Sequence, residues 1–150
     1  MATKYSGNKE EILALDTFLK IIRCAETISS QNSANLNKNG LTESQFGILD
    51  AVYHLGPLKQ KTLGEKILKT GGNITHVVDN LEDQKLVIRK RGKEDRRQFE
   101  IHMTPKGKKV FEKILPDQVR LIKNQMSVLS KEELETLGKL CRKIGLKNNN

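Results

Sequence analysis

A polar stretch between two apolar segments, in the middle of the chain, holds five charged residues in a row; besides Glu94 they are Lys93, Asp95, Arg96 and Arg97. Cations crowded in this way favour an anionic partner. A neighbouring carboxylate holds an arginine in a fixed orientation through charge-assisted hydrogen bonds, and arginine inserts favourably into a narrow minor groove of DNA. We therefore predict an anion-binding tip with DNA as its candidate partner; the alternative is a solvated tip.

A second group of hydrogen-bonding side chains precedes this tip. Asn73, Thr75, His76 and Asn80 fall on the polar side of a predicted helix whose other side is apolar. In the major groove, Asn pairs with adenine and Thr contacts the methyl group of thymine. Gly72 lies just before this helix, where backbone amides suit a phosphate. The pattern predicts a helix that reads DNA, and the alternative is ordinary polar surface with an N-cap.

Lys59, Lys61 and Thr62 form a third candidate group, at the start of another predicted helix. Side chains of these types contact phosphates, and such contacts set the register of a protein on DNA without reading its sequence. We expect these three residues to supply phosphate contacts.

The elements that hold these groups follow from the hydrophobic period. Apolar residues at helical spacing predict helices over about residues 10–30, 42–55, 60–68 and 73–84, with a helix end and a loop over 31–40. The last two of these helices flank a glycine turn and form a helix-turn-helix. β-branched and alternating residues predict strands over 86–91 and 99–103, and the charged tip joins them. A hairpin after a helix-turn-helix is a winged helix.

Capping signals place the remaining helices. Residues 42–45, Thr-Glu-Ser-Gln, match a capping box, and Thr104 with Pro105 matches the start of a helix with proline at its first position. We expect Pro116 to kink or interrupt that helix. A second capping box at Ser130 begins the last helix. The predicted fold is mainly α with a small β-hairpin wing.

Composition limits the classes of protein that fit. The chain has 150 residues and a net charge of +9, and most of the excess lies in residues 59–110. It contains no run of about 18 apolar residues, so we predict no membrane span. Two cysteines fit a reducing compartment, and we expect a cytoplasmic protein.

No arrangement of residues predicts catalysis or a cofactor. His54, His76 and His102 are scattered, with no metal-ligand spacing to either cysteine. The sequence lacks a glycine-rich phosphate loop and a serine elbow. We therefore predict no enzyme, no catalytic residue, no metal and no cofactor.

Five segments in order resemble the MarR family of bacterial transcription regulators. They are LTESQFGIL (41–49), GNITHVVDNLE (72–82), LVIR (86–89), DRR (95–97) and MTPKG (103–107). The resemblance implies a homodimeric winged-helix protein that binds palindromic duplex DNA, often a repressor released by a small aromatic or phenolic ligand. By the same resemblance, Arg97 enters the minor groove and Asp95 steadies it. At 84–85, Gln-Lys stands where the family often has a polar residue followed by glycine.

The predicted organisation is one domain over residues 1–150. The winged helix-turn-helix occupies about 41–104, between dimerisation helices over about 9–31 and 105–147. These outer helices carry more apolar positions than a small winged domain covers, and pairing across a two-fold axis would bury them. Packing within one monomer is the alternative.

Two other functions remain open. A sequence-neutral architectural protein that binds nucleic acid explains the charge, although not the polar face of one particular helix. A regulator that senses oxidants through Cys24 is the second. Cys24 lies far along its helix, which is the wrong place for the sensing cysteine of such relatives, and Cys141 shares an apolar helix face. We therefore expect both to be buried packing residues.

Overall fold

The computed structural model describes residues 4–67, 71–92 and 98–148. Along the chain its elements are α1 Lys9–Asn37, α2 Glu43–Leu55, β1 Leu58–Lys59, α3 Gln60–Lys66, α4 Gly71–Asp83, β2 Val87–Arg91, β3 Phe99–Met103, α5 Pro105–Met126 and α6 Lys131–Asn148. The three strands form one antiparallel sheet in the order β1-β3-β2. The mainly helical winged-helix fold predicted from the sequence is therefore confirmed.

Side-chain caps fix where the helices begin. In α2 the Gln45 N–H donates to Thr42 Oγ1 at 3.2 Å, and the Thr42 N–H donates to Gln45 Oε1 at 2.8 Å. In α6 the Ser130 N–H donates to Glu133 Oε2 at 2.8 Å, and the Glu133 N–H returns to Ser130 Oγ at 3.3 Å. Both predicted capping boxes are confirmed.

One apolar core lies under the winged module, which consists of α2, α3, α4 and the three-stranded sheet. Its fully buried members come from α1, α2, α3, α4, the sheet and α5: Leu36, Leu41, Ile48, Leu49, Leu63, Ile74, Val78, Leu81, Val87, Ile101 and Phe111. The ring of Phe111 stacks on Phe46, with centroids 5.1 Å apart, and is tilted against Tyr53 at 4.7 Å. This core fixes α4 against α2, the sheet and α5.

The start of α5 is fastened to the turn between α4 and β2. Thr104 Oγ1 donates to the Lys85 carbonyl at 2.7 Å and accepts the Gly107 N–H at 2.9 Å. Lys106 Nζ donates to the Gln84 carbonyl at 2.8 Å. Gly107 packs so closely on the Leu86 carbonyl that a Cβ at this position would overlap it. The Thr-Pro-Lys-Gly segment therefore attaches α5 to the turn before β2, and this attachment requires the hydroxyl of Thr104 and the absence of a side chain at Gly107.

The structure differs from the predicted elements at three places. The loop expected over residues 31–40 is helical as far as Asn37, because buried Leu36 draws this part of α1 into the core. Pro116 was expected to kink or interrupt its helix; it lies inside α5 without interrupting it, since buried residues on both sides, Ile114 and Gln118, keep the helix packed. The strand β1 was not predicted, because two residues carry no periodicity.

Candidate nucleic-acid interface

The helix α4 presents one apolar face and one polar face. Ile74, Val77, Val78 and Leu81 are buried in the core. Asn73, Thr75 and His76 are exposed and Asn80 is half-buried, so the predicted polar face exists. The helix begins at Gly71, two residues before its predicted start at about Asn73, so Gly72 and Asn73 lie within its first turn.

The polar side chains of α4 already interact with one another and with α3. Asn80 Nδ2 lies 3.4 Å from His76 Nε2, one helical turn away. Gln60, the first residue of α3, donates from Nε2 to Thr75 Oγ1 at 2.8 Å. These hydrogen bonds limit the rotamers of His76, Asn80 and Thr75.

Arg89 in β2 joins this face to the wing. Its Nη1 atom lies 2.7 Å from Glu82 Oε2 and its Nη2 atom 2.6 Å from Asp79 Oδ1. Nη2 also donates to the Thr75 carbonyl at 3.3 Å, and Nε donates to Gln60 Oε1 at 3.3 Å. One guanidinium therefore contacts three successive turns of α4 and the start of α3.

The electrostatics of this cluster keep Arg89 charged. Partial burial lowers the pKa of Arg89, but the hydrogen bonds and charges of Asp79 and Glu82 outweigh burial and leave that pKa above its usual value. The two carboxylates also cancel the positive charge of the guanidinium. Neither Arg89 nor Gln60 was predicted from the sequence. For Arg89 a signal was available, because alternation along β2 places it on the same face of the strand as buried Val87.

The remaining predicted site residues divide into two groups. Lys59 belongs to β1 and is also the N-cap residue of α3, Lys61 is exposed on α3, and Thr62 is half-buried. These three lie at one end of α3 beside Gln60. Lys93, Asp95, Arg96 and Arg97 lie outside the described residues; the strands that carry them are paired from Val87 with Met103 to Arg91 with Phe99.

Comparison with known proteins decides the family. The MarR family model matches residues 41–99. The HTH-type transcriptional regulator MhqR of Bacillus subtilis strain 168 is 35% identical over 133 residues, which cover 89% of this chain and 92% of that protein. The chain belongs to the MarR family.

Two solved structures show how far the MarR fold extends. AbsC, a MarR family transcriptional regulator from Streptomyces coelicolor, aligns with a TM-score of 0.86 at 19% identity, over 98% of this chain and 99% of that chain. The organohalide-sensing regulator RdhR-CbdbA1625, in its 2,4-dichlorophenol-bound form, aligns with a TM-score of 0.80 at 22% identity, over 100% of this chain and 89% of that chain. Like its relatives, this MarR protein is a DNA-binding transcriptional regulator.

A cleft of about 360 Å³ lies between the winged module and the long helices of this MarR protein. It is lined by Asn32, Leu36, Glu43, Phe46, Gly47, Asp50, Leu115, Gln118, Val119 and Ile122. Gln118 is 4% exposed and accepts a hydrogen bond from Asn35 Nδ2 at 2.9 Å. Asn32 Oδ1 is buried without a hydrogen-bond donor among the described residues. Apolar walls with a few polar atoms are typical of a small-molecule site.

Apolar side chains on α1 and α6 face away from the core. Leu13 is 67% exposed and Phe18 56% exposed, and α6 exposes Leu137, Leu140 and Ile144. Cys24 on α1 and Cys141 on α6 are exposed as well, so the prediction that both are buried is wrong for the protomer. The reason is that both helices extend beyond the core that buries Leu36.

Neither a metal centre nor a membrane span is found in residues 4–67, 71–92 and 98–148. This part of the chain holds no group of three or more His, Cys, Asp or Glu side chains arranged for a metal ion. It also has no helix whose length and apolar character suffice to cross a bilayer.

Proposed function

We propose that this MarR protein is a cytoplasmic homodimeric repressor that binds a palindromic duplex operator by sequence and acts without catalysis. The observation that carries the proposal is the exposed polar face of α4 beside a β-hairpin, with both elements held together through Arg89. A helix of this kind fits the major groove while a wing reaches the adjacent minor groove.

Each predicted contact residue has a role in this proposal. Asn73, Thr75, His76 and Asn80 face the bases, and the first-turn backbone at Gly72 approaches a phosphate. Lys59, Lys61 and Thr62 contact phosphates and set the register. On the wing, Lys93, Arg96 and Arg97 meet the DNA, with Arg97 in the minor groove and Asp95 orienting it.

The homodimer is supported by the exposed apolar faces of α1 and α6. A two-fold pair would bury them and would place its two recognition helices about 34 Å apart, one turn of DNA. We expect Phe18→Glu to shift the sedimenting species from dimer to monomer, whereas Lys20→Glu on the same helix leaves the dimer intact. A Phe18→Glu protein that stays dimeric would remove this surface from the proposal.

Selection of bound duplexes from a random pool tests sequence recognition directly. We expect a two-fold symmetric consensus, bound about a thousandfold more tightly than a scrambled duplex. Arg97→Ala should weaken binding to the consensus without changing dimer mass or thermal stability. Equal binding to every duplex would instead favour the architectural alternative, which the net charge of +9 supports.

We also propose that a small aromatic or phenolic ligand, bound in the cleft between α1, α2 and α5, releases the protein from DNA. The apolar lining of the cleft and the 2,4-dichlorophenol bound by RdhR-CbdbA1625 support this ligand class. Titration with 2,4-dichlorophenol should release the consensus duplex from the protein, and Phe46→Ala should raise the concentration required. A Val128→Ala protein, altered outside the cleft, is the control.

Sensing of oxidants through Cys24 is the second candidate mechanism of release, and the exposure of this thiol favours it. Treatment of the protein–DNA complex with hydrogen peroxide separates the two candidates. Release from the parent protein but not from Cys24→Ser would support the thiol mechanism. Equal release from both proteins would exclude Cys24.

A further inference from the structure

A five-residue network lies beneath the polar face of α4. Thr75, Asp79 and Glu82 follow one another at four and three residues along the helix and therefore form one stripe. The stripe faces Arg89 of β2, and Gln60 of α3 completes the network. Neither Arg89 nor Gln60 belongs to the predicted DNA contacts.

The contacts of Arg89 use its whole guanidinium. Nε, Nη1 and Nη2 each have a partner, at 3.3, 2.7 and 2.6 Å. The backbone N–H of Arg89 also donates to Glu82 Oε1 at 2.9 Å, so both oxygens of that carboxylate bind the same residue. The rigid, planar fork of arginine is required here, because an ammonium group cannot satisfy partners spread over three helical turns.

The charge of this network separates Arg89 from the phosphate-binding cations. Its side chain is only 18% exposed and lies between two carboxylates. A phosphate approaching Arg89 would meet Asp79, which is half exposed, and the resulting repulsion opposes the contact. The guanidinium is therefore available to α4 rather than to DNA.

Gln60 extends the restraint to a predicted base contact. Its Oε1 atom accepts from Arg89 Nε while its Nε2 atom donates to Thr75 Oγ1 at 2.8 Å. Arg89 thus holds Thr75 twice, directly at the carbonyl and through Gln60 at the hydroxyl. Rotation of α4 about its own axis would break several of these bonds together.

We infer that Arg89 and Gln60 are positioning residues for sequence readout: they set the rotation of α4 against the wing and the rotamer of Thr75 before DNA binds. The inference rests on the proposed sequence-specific binding to DNA. It assigns base preference partly to two residues that touch no base, because rotation of the helix within the groove shifts its polar side chains relative to the base edges.

The test measures the affinity of Arg89→Gln for the selected consensus duplex and for a scrambled duplex, over a range of salt concentrations. We expect the ratio of the two affinities to fall about tenfold or more, comparable to the loss of one base-pair contact. The dependence of log K on log salt should keep its slope. A phosphate-binding arginine would instead lower that slope by about one and leave the ratio unchanged.

Three further variants make the result decisive. Arg89→Lys keeps the charge and should behave as Arg89→Gln does. Gln60→Ala removes two hydrogen bonds at a partly exposed site and should change the selected consensus even if Arg89→Gln unfolds. Arg91→Gln, the matched control, loses the same charge from an exposed position on β2 and should leave the ratio of affinities intact.

The outcomes separate the inference from the proposed function. A parent protein that binds both duplexes equally would refute sequence-specific binding and this inference with it. A specific parent protein with unchanged ratios in Arg89→Gln and Gln60→Ala would overturn only the inference. Restoration of the ratio by Arg89→Lys would also overturn it, because charge rather than the guanidinium fork would then suffice.

Discussion

Lys85 follows the end of α4 in a backbone conformation that glycine adopts more easily, so Lys85→Gly should stabilise the protein. Its φ is 60°, in the left-handed region. The Lys85 N–H donates to the Glu82 carbonyl at 2.8 Å, and the Leu86 N–H donates to the Leu81 carbonyl at 2.9 Å. These two bonds define a Schellman motif, whose left-handed position is usually glycine.

The same motif occurs at the end of α1 with glycine in place. Gly40 has a φ of 75°, its N–H donates to the Asn37 carbonyl at 3.0 Å, and the Leu41 N–H donates to the Leu36 carbonyl at 3.2 Å. A Cβ on Gly40 would meet no atom within 4 Å. Gly40→Ala therefore measures the cost of the conformation alone and is the matched control for Lys85.

The magnitude follows from two opposing effects. A side chain in the left-handed region costs about 1–2 kcal/mol, while glycine loses about 0.5–1 kcal/mol more backbone entropy on folding. Lys85→Gly should therefore raise the free energy of unfolding by about 0.5–1 kcal/mol, and Gly40→Ala should lower it by a similar amount or more.

Urea denaturation at one fixed protein concentration measures both changes, since the stability of a dimer depends on concentration. In thermal unfolding, a rise of about 0.5–1 kcal/mol in the free energy of unfolding corresponds to an increase of about 1–4 °C in Tm. If Gly40→Ala destabilises the protein as expected but Lys85→Gly leaves its stability unchanged or lower, the left-handed conformation of Lys85 carries no net cost, and the lysine side chain must itself stabilise the folded state.

Two other predictions concern the start of α5 and the aromatic cluster. Gly107→Ala should lower stability by about 1–3 kcal/mol, because the new methyl group overlaps the Leu86 carbonyl; an unchanged Tm would contradict this close packing. The hydrogen bond to Glu112 raises the pKa of Tyr53, and burial and the charge of Glu112 add to it. A raised pKa favours the neutral phenol in the folded state, so this stabilisation is present below about pH 10 and is lost as the pH rises through the folded pKa. In a Tyr5→Phe background, absorbance titration should show the pKa falling when Glu112→Gln is added, and an unchanged midpoint would exclude Glu112 as the cause.

Local chemical signals made most of the fold predictable. Thr42, Thr104 and Ser130 each begin a helix where the capping pattern placed it, because a cap depends on residues only three positions apart. The hairpin was equally predictable, since alternation along β3 places Ile101 in the core. The predictions failed where contacts between distant residues determine the structure. The end of α1 stays helical because Leu36 is buried in the core and Asn35 hydrogen-bonds to Gln118 of α5.

The candidate site was predictable only in part for the same reason. The polar face of α4 follows from helical periodicity, so Asn73, Thr75 and His76 were placed correctly as exposed residues. The network beneath that face depends on the distance between Arg89 and residues up to 29 positions away in sequence. No local pattern shows that Gln60 reaches Thr75, and sequence reasoning therefore missed it.

The Arg89 network also changes how the charge of the chain should be interpreted. Residues 59–110 carry most of the basic excess, and a count of charges alone does not separate the cations that are free to meet DNA from those paired within the protein. Arg89 is neutralised by Asp79 and Glu82 within the protomer, so it adds no attraction for phosphate. Without this pairing, Asp79 and Glu82 would repel DNA more strongly beside the polar face of α4. Pairing them with Arg89 offsets part of that repulsion, since one positive charge faces two negative charges, and at the same time fixes the helix. Losing Arg89 should therefore damage readout more than attraction.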